Sequence, residues 1–254
     1  MSDVTKWWST EIIDMKPGSI NLRGKPIEDL IGKKSFVEMI WFMTTGEEID
    51  SKKLFLLEAA LVSSVDHGPQ APSISAARMS ATCGVAINNS LATGINLLGD
   101  IHGGAGQQAL ELYIDIQTKG IENLSQIIND YKQVKNIYIP GFGHRFHKSN
   151  DPRTIRLLEI VDEAIERKII KGEYAEIARK IEQELSKKKN IPMNIDGITA
   201  VIYAELGCPA PLSRGLFCLS RSVGILSHTW EQMQQGERIK GPTPPDYKWS
   251  YKGK

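Results

Sequence analysis

Apolar residues recur at helical spacing along most of this 254-residue chain, and strand-like alternation is rare. The helical patterns cover residues 35–44, 51–64, 72–98, 106–117, 151–168, 173–188 and 211–235. Strand signals are limited to a short hairpin around Pro17-Gly18 and to Asn136–Ile139. An average globular chain has much more strand than this, so the chain is predicted to be almost all α.

The helix boundaries carry their own signals. Asp50 is a candidate N-cap for the helix over residues 51–64, and Gly46 and Gly236 are candidate C-terminal stops. Residues 72–98 are rich in Ala, Ser, Thr, Gly and Asn. Because small side chains let helices approach closely, this segment is predicted to form one or two tightly packed inner helices.

Composition excludes several classes of protein. Apolar residues make up 41% and charged residues 24%, and the net charge of +1 gives no field that would recruit nucleic acid or an anionic membrane. No apolar stretch is long enough to span a bilayer, and the first residues do not resemble a signal peptide. The cysteines Cys83, Cys208 and Cys218 are predicted to be reduced, buried thiols, so a cytoplasmic location is expected.

Four of the five histidines lie in loop-like contexts, and several of these lie beside glycine turns. His67 is in VDHGP, His102 in DIHGGAG, and His144 and His147 in IPGFGHRFHKSNDPR. Glycine lets a backbone approach a ligand closely, and histidine transfers protons near neutral pH. His228 is alone on an apolar helix, which favours a structural role.

Charged residues near these turns allow two interpretations each. Arg221 on an apolar helix requires either an internal salt bridge or a bound anion, and together Arg153, Arg221 and the histidines favour a ligand with several carboxylates. Asp196 in NIPMNIDG is either a helix N-cap or a catalytic carboxylate. The lysines at 187–189 either remain solvated at a helix end or bind phosphate.

Four motifs occur in the order and approximate spacing of the citrate synthase superfamily: HGGAGQQAL, PGFGHRFHKSNDPR, NID and LSRSVGILSH. The resemblance covers about residues 66–231. Within the superfamily, VDHGP and the short chain are most similar to citryl-CoA lyases, both free-standing forms and the C-terminal module of ATP-citrate lyase. Citrate synthases usually carry Glu after this histidine and have a longer N-terminal region.

The resemblance implies roles for individual residues. His102 matches the histidine that hydrogen-bonds the thioester carbonyl oxygen, His144 matches the one at the substrate's carbonyl or hydroxyl oxygen, and Asp196 matches the catalytic carboxylate. The oxaloacetate or citrate portion would be bound by His67, Arg153 and Arg221. The positions that match the coenzyme A site are Tyr138, Ile139, Gly141, Phe142, Lys148, Lys187 and Lys189.

The resemblance also implies an architecture. The expected fold is all α and citrate synthase-like, with a large domain of residues 1–105 and 208–254 and a smaller mobile domain of residues 106–207. Active sites of the family form as the two domains close. The family is dimeric, so a homodimer or a larger homo-oligomer is expected.

One position departs from the pattern of citrate synthases. These enzymes have an arginine before a proline near the C-terminus, which reaches the substrate of the partner subunit. Here the segment reads RIKGPTPP, with Gly241 before Pro242. Either Arg238 or Lys240 takes this role, or the carboxylates are bound differently, which favours a lyase over a synthase.

The predicted activity is citryl-CoA lyase, which cleaves citryl-CoA to acetyl-CoA and oxaloacetate and depends on a separate citryl-CoA synthetase. The alternatives are a citrate or 2-methylcitrate synthase, since condensation uses the same groups in reverse, and a non-catalytic subunit that binds coenzyme A thioesters. Coenzyme A enters as part of the substrate, with no tightly bound cofactor. No metal is implied, because the histidines lack ligand-type spacing.

Overall fold

The computed structural model describes residues 2–135, 139–143, 151–187, 190–239, 244 and 246–253. Helices dominate these residues, which confirms the all-α prediction. The helices are α1 (Ser2–Trp7), α2 (Ile27–Leu30), α3 (Phe36–Thr45), α4 (Leu54–Ser63), α5 (Pro72–Thr82), α6 (Ile87–Asn96), α7 (Ala105–Lys119), α8 (Leu124–Lys135), α9 (Pro152–Glu166), α10 (Glu173–Ser186), α11 (Ile195–Glu205) and α12 (Ala210–Gln235). The strands are β1 (Ile13–Lys16), β2 (Ser19–Leu22) and β3 (Lys25–Pro26).

The predicted hairpin around Pro17-Gly18 is confirmed. Strands β1 and β2 pair in antiparallel register with Lys16 opposite Ser19, which leaves Pro17 and Gly18 as a two-residue loop. Gly18 has a φ of 77°, a conformation that glycine adopts without steric cost. Strand β3 then pairs with β2 to complete a small sheet.

The chain divides into two compact units, residues 1–58 and 59–254. In the first unit, Ser35 and Glu38 form a capping box at the start of α3, in which each side chain accepts a hydrogen bond from the other residue's backbone N–H. Gly46, with a φ of 82°, ends the same helix. The predicted helix and its predicted stop are therefore both confirmed.

In the second unit, α11 lies at the centre of the helices. Its residues from Gly197 to Ala204 are all buried, and it packs against α7, α9 and α10. A helix that is apolar on every side is stable only when other helices surround it. The carboxylate of Glu205, the last residue of α11, accepts hydrogen bonds from the N–H groups of Gly172 and Tyr174 and so caps α10.

Residues 72–98 form two closely packed inner helices, α5 and α6, which contact α12. Ala71, Ile74, Ala77 and Ile225 are buried in their shared core. A Cβ atom on Gly94 would lie 2.6 Å from Ile225 Cγ2 and 2.8 Å from the Ser73 carbonyl oxygen. Only glycine allows this approach, which confirms that small residues bring these helices together.

Some predictions differ from the structure. Helix α4 begins at Leu54 instead of Ser51, because residues 51–53 form turns while the Asp50 carboxylate accepts the N–H of Lys52. Helix α8 was not predicted. Cys83 is exposed and Cys218 is only partly buried, so the expectation that all three thiols are buried holds for Cys208 alone. Across the described residues, no helix has both the length and the apolar composition needed to cross a bilayer.

Candidate functional site

The N-terminus of α11 carries the first candidate catalytic residue. Asn194, and not Asp196, caps this helix, because its side-chain Oδ1 accepts the N–H groups of Asp196 at 3.0 Å and Gly197 at 3.2 Å. The interpretation of Asp196 as the N-cap was therefore wrong. Its carboxylate accepts no hydrogen bond from any described residue and lies on the wall of a cavity.

A turn formed by residues 139–143 lies against the start of α11. The Gly141 carbonyl oxygen accepts the N–H of Asn194 at 2.9 Å, and the Gly143 N–H donates to the Pro192 carbonyl oxygen at 2.7 Å. A Cβ atom on Gly197 would lie 2.3 Å from the Gly141 oxygen. The two backbones therefore touch, which requires glycine at position 197.

His102 is oriented by the N-terminus of α5. The backbone N–H of Ser73 donates to His102 Nε2 at 3.3 Å, and the Ser73 hydroxyl lies 3.0 Å from the same nitrogen. Because Nε2 accepts a hydrogen bond, the neutral ring carries its proton on Nδ1. Burial and the positive charge of Arg221 lower the pKa of His102, so the ring is a neutral hydrogen-bond donor.

Arg221 is buried, with 6% of its surface exposed. Its Nε donates to the Ser64 carbonyl oxygen at 3.0 Å, and its guanidinium lies 4.9 Å from the centre of the Phe217 ring. Burial lowers the pKa of Arg221, while the charges of Asp196 and Asp66 oppose this effect. The interpretation as a simple buried salt bridge does not hold, because no carboxylate is bonded to this guanidinium among the described residues.

Three neighbouring groups on α12 bind carbonyl groups at the C-terminal end of α4 and just beyond it. The Ser220 hydroxyl donates to the Leu61 oxygen at 2.5 Å, Arg221 donates to Ser64, and the Gly224 N–H donates to the Val65 oxygen at 3.1 Å. No N–H group of α4 bonds these carbonyls, although the Leu61 oxygen also accepts the N–H of Ser64, just beyond the helix, at 3.2 Å. The LSRSVG segment therefore anchors the loop that leads to His67.

His67 itself is exposed, and its neighbour Asp66 belongs to a charged network. Asp66 lies 3.2 Å from His228 Nε2, while His228 Nδ1 lies 3.3 Å from an Arg78 guanidinium nitrogen. Burial raises the pKa of Asp66, but the Gly68 N–H and His228 have the larger combined effect, so this pKa is lowered. The structural role predicted for His228 agrees with this network.

Arg153 follows the N-cap of α9. It binds the buried Asp151 carboxylate through Nε at 3.0 Å and through a terminal guanidinium nitrogen at 2.7 Å. The Asp151 carboxylate also accepts the Arg153 backbone N–H, so one residue both caps the helix and holds the arginine. This bidentate contact fixes the plane of the guanidinium.

A narrow cavity brings residues from several of these elements together. Its volume of about 10 Å³ has room for about one water molecule. The wall includes polar and aromatic groups from four parts of the chain: Ser64, Gly103, Gly106, Gln107, Asp196, Thr199, Tyr203, Ser213, Arg214 and Phe217. Gly106 lies four residues after His102 and next to Asp196: a Cβ atom on Gly106 would be 3.8 Å from an Asp196 carboxylate oxygen.

The electrostatic environment of Asp196 favours a protonated carboxyl. Burial raises its pKa, and the charges of Arg221 and Arg153 only partly oppose that effect. Each of these charges changes the pKa of a neighbour: Asp196 and Arg153 affect the pKa of Arg221. Arg221 in turn affects the pKa of His102. The structure thus places four of the predicted site residues in one electrostatic environment.

Among the described residues of the predicted site, Asp196 lines the cavity, whereas His67, His102, Arg153 and Arg221 do not belong to its wall. Ile139 and Phe142 are buried in the turn beside α11, and Lys187 is on the surface, paired with Glu184 at 2.5 Å. Arg238 is exposed. The predictions for His144, Tyr138, Lys148, Lys189, Lys240 and Gly241 fall outside the described residues.

Three residues with clear roles at the site were missed. Ser73 orients His102, Asn194 caps the helix of Asp196, and Arg214 lines the cavity and binds Asp100 at 2.6 Å. The signal for Asn194 was its place two residues before Asp196, typical of an N-cap. The signal for Arg214 was its position seven residues before Arg221, on the same helix face.

The chain belongs to the citrate synthase family: residues 43–243 match the family described as citrate synthase, C-terminal domain. It is 30% identical to the citrate synthase of Corynebacterium glutamicum, over 85% of this chain and 51% of that protein. It is 29% identical to ATP-citrate synthase subunit 1 of Sordaria macrospora, over 82% of this chain and 33% of that protein. The chain therefore spans about half, or less, of the length of these curated relatives.

Solved structures of the family share the fold. The structure of citryl-CoA lyase from Hydrogenobacter thermophilus aligns with a TM-score of 0.86 and 31% identity, covering 97% of this chain and 95% of that one. ATP citrate lyase from Methanothrix soehngenii aligns with a TM-score of 0.84 and 23% identity, covering 97% of this chain and 42% of that one. The predicted citrate synthase-like fold is confirmed.

Proposed function

We propose that this chain is a citryl-CoA lyase that cleaves citryl-CoA to acetyl-CoA and oxaloacetate. The observation that carries the proposal is the electrostatic environment that links His102 and Asp196 to Arg221 and Arg153, in which the pKa of His102 is lowered and that of Asp196 is raised. The end-to-end likeness to a citryl-CoA lyase at 31% identity supports a lyase over a synthase.

The reaction requires two proton transfers and the cleavage of one C–C bond. The proton of the tertiary hydroxyl is removed, the adjacent C–C bond breaks as that oxygen becomes the keto group of oxaloacetate, and the bonding electrons pass to the thioester as an enolate. A proton added to the enolate carbon then gives the acetyl methyl group. We assign removal of the hydroxyl proton to His144, on the resemblance alone.

His102 is suited to stabilise the enolate oxygen. Its proton is on Nδ1 because Ser73 donates to Nε2, and a neutral donor that is already oriented needs no reorganisation during the reaction. The helix N-terminus at Ser73 also disfavours an imidazolium, because the helix dipole is positive there. The ring therefore remains neutral while the negative charge forms.

Asp196 is suited to protonate the enolate carbon. An ordinary carboxyl is ionised at neutral pH and has no proton to give, whereas burial raises the pKa of this one. Its carboxylate is not used in capping, since Asn194 performs that role. The same group, once ionised, is the base that the reverse condensation requires.

The acid portion of the substrate carries carboxylates, for which we assign Arg221, Arg153 and His67 as binding residues. Arg153 is fixed in orientation by Asp151, and Arg221 by the Ser64 carbonyl, so neither side chain has to be ordered when the ligand binds. Solved relatives bind such ligands: the Methanothrix enzyme was captured with citrate and coenzyme A.

For coenzyme A we assign the turn that contains Ile139, Gly141 and Phe142, together with Tyr138, Lys148, Lys187 and Lys189. Because the side chains of Ile139 and Phe142 are buried, we assign to these residues a backbone contact with coenzyme A. The lysines supply positive charge for its phosphates. The thioester is a substrate and product, with no tightly bound cofactor. We further propose that the chain forms a homo-oligomer. A mobile domain of residues 106–207 would close on the large domain of residues 1–105 and 208–254. A separate synthetase would supply citryl-CoA.

A citrate synthase is the second candidate, favoured by the 30% identity to the Corynebacterium enzyme. The deciding experiment supplies purified protein with synthetic citryl-CoA and measures oxaloacetate, through malate dehydrogenase and NADH, alongside free citrate. We expect rapid oxaloacetate with little citrate. Citrate with little oxaloacetate would show hydrolysis of the thioester and favour the synthase.

A parallel reaction starts from acetyl-CoA and oxaloacetate. Net formation of citrate and free coenzyme A there would contradict the lyase assignment. The matched control is the Asp196→Asn protein, which removes the proton donor with little change in volume. If neither reaction proceeds while coenzyme A thioester still binds, the chain is a non-catalytic binding subunit.

A further inference from the structure

Asn194 uses both ends of its side-chain amide. Its Oδ1 accepts the N–H groups of Asp196 and Gly197, and its Nδ2 donates to the Gly143 carbonyl oxygen at 2.6 Å. Its backbone N–H donates to the Gly141 oxygen at 2.9 Å. One residue therefore joins the first turn of α11 to both glycines of the turn over residues 139–143.

We propose that Asn194 is a positioning residue that holds the carboxyl of Asp196 in fixed register with the turn of residues 139–143. The proposal rests on the proposed function, in which that turn binds coenzyme A and Asp196 protonates the substrate carbon. Asn194 has no predicted contact with the substrate. It acts through the two elements that it joins.

An N-cap alone does not account for an asparagine here. Serine and aspartate cap helices about as well, because a cap needs only an acceptor. The donor to Gly143 is the additional feature, since a hydroxyl is shorter than an amide and a carboxylate has no proton to donate. Asparagine is therefore the short side chain that accepts two N–H groups and donates to a carbonyl at the same time.

The surrounding backbone gives this link little freedom to move. A Cβ on Gly141 would lie 2.8 Å from Gly197 Cα, and Phe142 and Met193 pair through an isolated antiparallel bridge. The Met193 N–H is held in turn by the Glu182 carboxylate at 2.7 Å. With so little space between the two segments, a shift of the turn is transmitted to the first residues of α11.

Asn194 also determines the electrostatics of the helix start. The N–H groups of residues 196 and 197 would otherwise stabilise a negative charge nearby. Since Oδ1 accepts both, they are not available to an ionised Asp196. This agrees with the raised pKa of that carboxyl. A change at Asn194 is therefore expected to alter the pH dependence of the reaction as well as its geometry.

The test compares Asn194→Ser, which keeps a cap acceptor and loses the amide donor, with Asn194→Ala, which loses both. The matched control is Glu205→Ala at the other end of α11, which also removes an acceptor of two N–H groups but is remote from the turn. Each protein is assayed for kcat, for KM with citryl-CoA, for its pH profile and for its melting temperature.

We expect Asn194→Ser to melt no lower than Glu205→Ala while its kcat falls about 10- to 100-fold, as a displacement near 1 Å produces. The pH profile of Asn194→Ala should shift towards lower pH, because the N–H groups exposed in that variant stabilise the Asp196 anion, whereas serine still accepts them. Glu205→Ala should keep the kcat of the unmodified protein. Unchanged kcat in Asn194→Ser would overturn the proposal and leave Asn194 as a helix cap.

A second readout is independent of the reaction. Amide hydrogen exchange should be faster in Asn194→Ser at Gly143, whose N–H bonds the Pro192 carbonyl oxygen and whose own carbonyl loses the amide donor. Calorimetry with coenzyme A should show weaker binding than in Glu205→Ala. If the unmodified protein neither cleaves citryl-CoA nor makes citrate, the proposed function fails, whereas unchanged exchange in the turn overturns the role of Asn194.

Discussion

Asp196 shows how a single residue near a helix start is left without a capping role. Aspartate before an apolar run most often caps a helix, and here the cap is provided by Asn194 two residues earlier. The carboxyl is then half-buried without a hydrogen-bond donor from any described residue, and the loss of solvation raises its pKa. Two sequence-based interpretations were possible for this aspartate, and the capping geometry distinguishes them.

Replacing Asp196 with Asn should remove the proton transfer while preserving the shape of the side chain. General acid–base groups contribute about 10²- to 10⁴-fold to rate, so kcat for oxaloacetate formation should fall by that factor. The KM for citryl-CoA should change little, because the arginines that we propose to bind the acid are intact. A variant with normal kcat would remove Asp196 from the mechanism.

The same variant should be more stable than the parent at neutral pH. Because burial raises the pKa of Asp196, the stability linked to this group is present below about pH 4 and is lost as pH rises through the raised native value. The Asn side chain has no such ionisation cost. Urea unfolding at several pH values should show an advantage for Asp196→Asn near pH 7 that shrinks on acidification. A constant difference across this range would contradict the raised pKa.

Arg214 is a cation in the same cavity, and its buried Nε has no hydrogen-bond partner among the described residues. An unpaired guanidinium N–H in a cavity wall is suited to a carboxylate oxygen of the ligand. Hydrogen bonds to charged groups contribute about 1.5–3 kcal/mol, so Arg214→Gln should raise the KM for the acid substrate about 10- to 100-fold.

The control for Arg214 is Arg156→Gln, which breaks a surface ion pair with Glu159 on α9. That variant should keep the KM of the parent, since exposed pairs contribute little. If both variants have unchanged KM, Arg214 serves only to hold Asp100 near His102.

At the level of elements, α12 is anchored to the loop after α4 through a glycine. A Cβ on Gly224 would lie 2.2 Å from the Val65 carbonyl oxygen, a backbone atom that cannot move aside easily. Gly224→Ala should therefore destabilise the protein by about 1–3 kcal/mol, as overpacking does. Denaturant unfolding measures this change directly.

Gly215 on the same helix provides the matched comparison. A Cβ there would meet only Leu212 Cδ1, at 4.0 Å. Gly215→Ala should stabilise by up to about 1 kcal/mol through helix propensity alone. Equal effects of the two alanines would show that the contact between Gly224 and Val65 contributes nothing.

Helices with strong local signals were predictable, and elements defined by tertiary contact were not. Helix α3 has a capping box and a glycine stop within its own sequence, so its bounds followed from local chemistry. The first residues after Asp50 form turns before α4 begins. The helical spacing of apolar residues over 51–64 did not indicate this later start. The spacing of Arg214 from Arg221 indicated a shared helix face, but not the contact with Asp100, which lies more than 100 residues away in sequence.

At the level of the whole molecule, the outer face of α12 indicates how copies would associate. Leu219, Val223, Leu226 and Trp230 form a stripe at helical spacing, with exposed fractions of 46%, 53%, 42% and 56%. A large exposed apolar patch is typical of an interface. The sequence-based expectation of a homo-oligomer assigns this stripe to a second copy of the chain.

Sedimentation should therefore show a homo-oligomer for the unmodified protein and a smaller species for the double variant Val223→Lys with Trp230→Lys. Burial of these lysines against a second copy would be strongly unfavourable. Ile155→Lys, which adds the same charge at an exposed apolar position on α9, is the control and should leave the mass unchanged. A double variant with the mass of the parent would place the interface elsewhere.

The contact between Gly141 and Gly197 also limits how such enzymes can be recombined. Gly141 and Gly197 lie more than 50 residues apart in sequence, yet their backbones are so close that neither position has room for a side chain. A chimaera that takes residues 139–143 from one relative and residues 192–197 from another would combine surfaces shaped for different partners. A chimaera should therefore fold only when residues 139–143 and residues 192–197 come from the same parent protein, although the two segments are far apart in sequence.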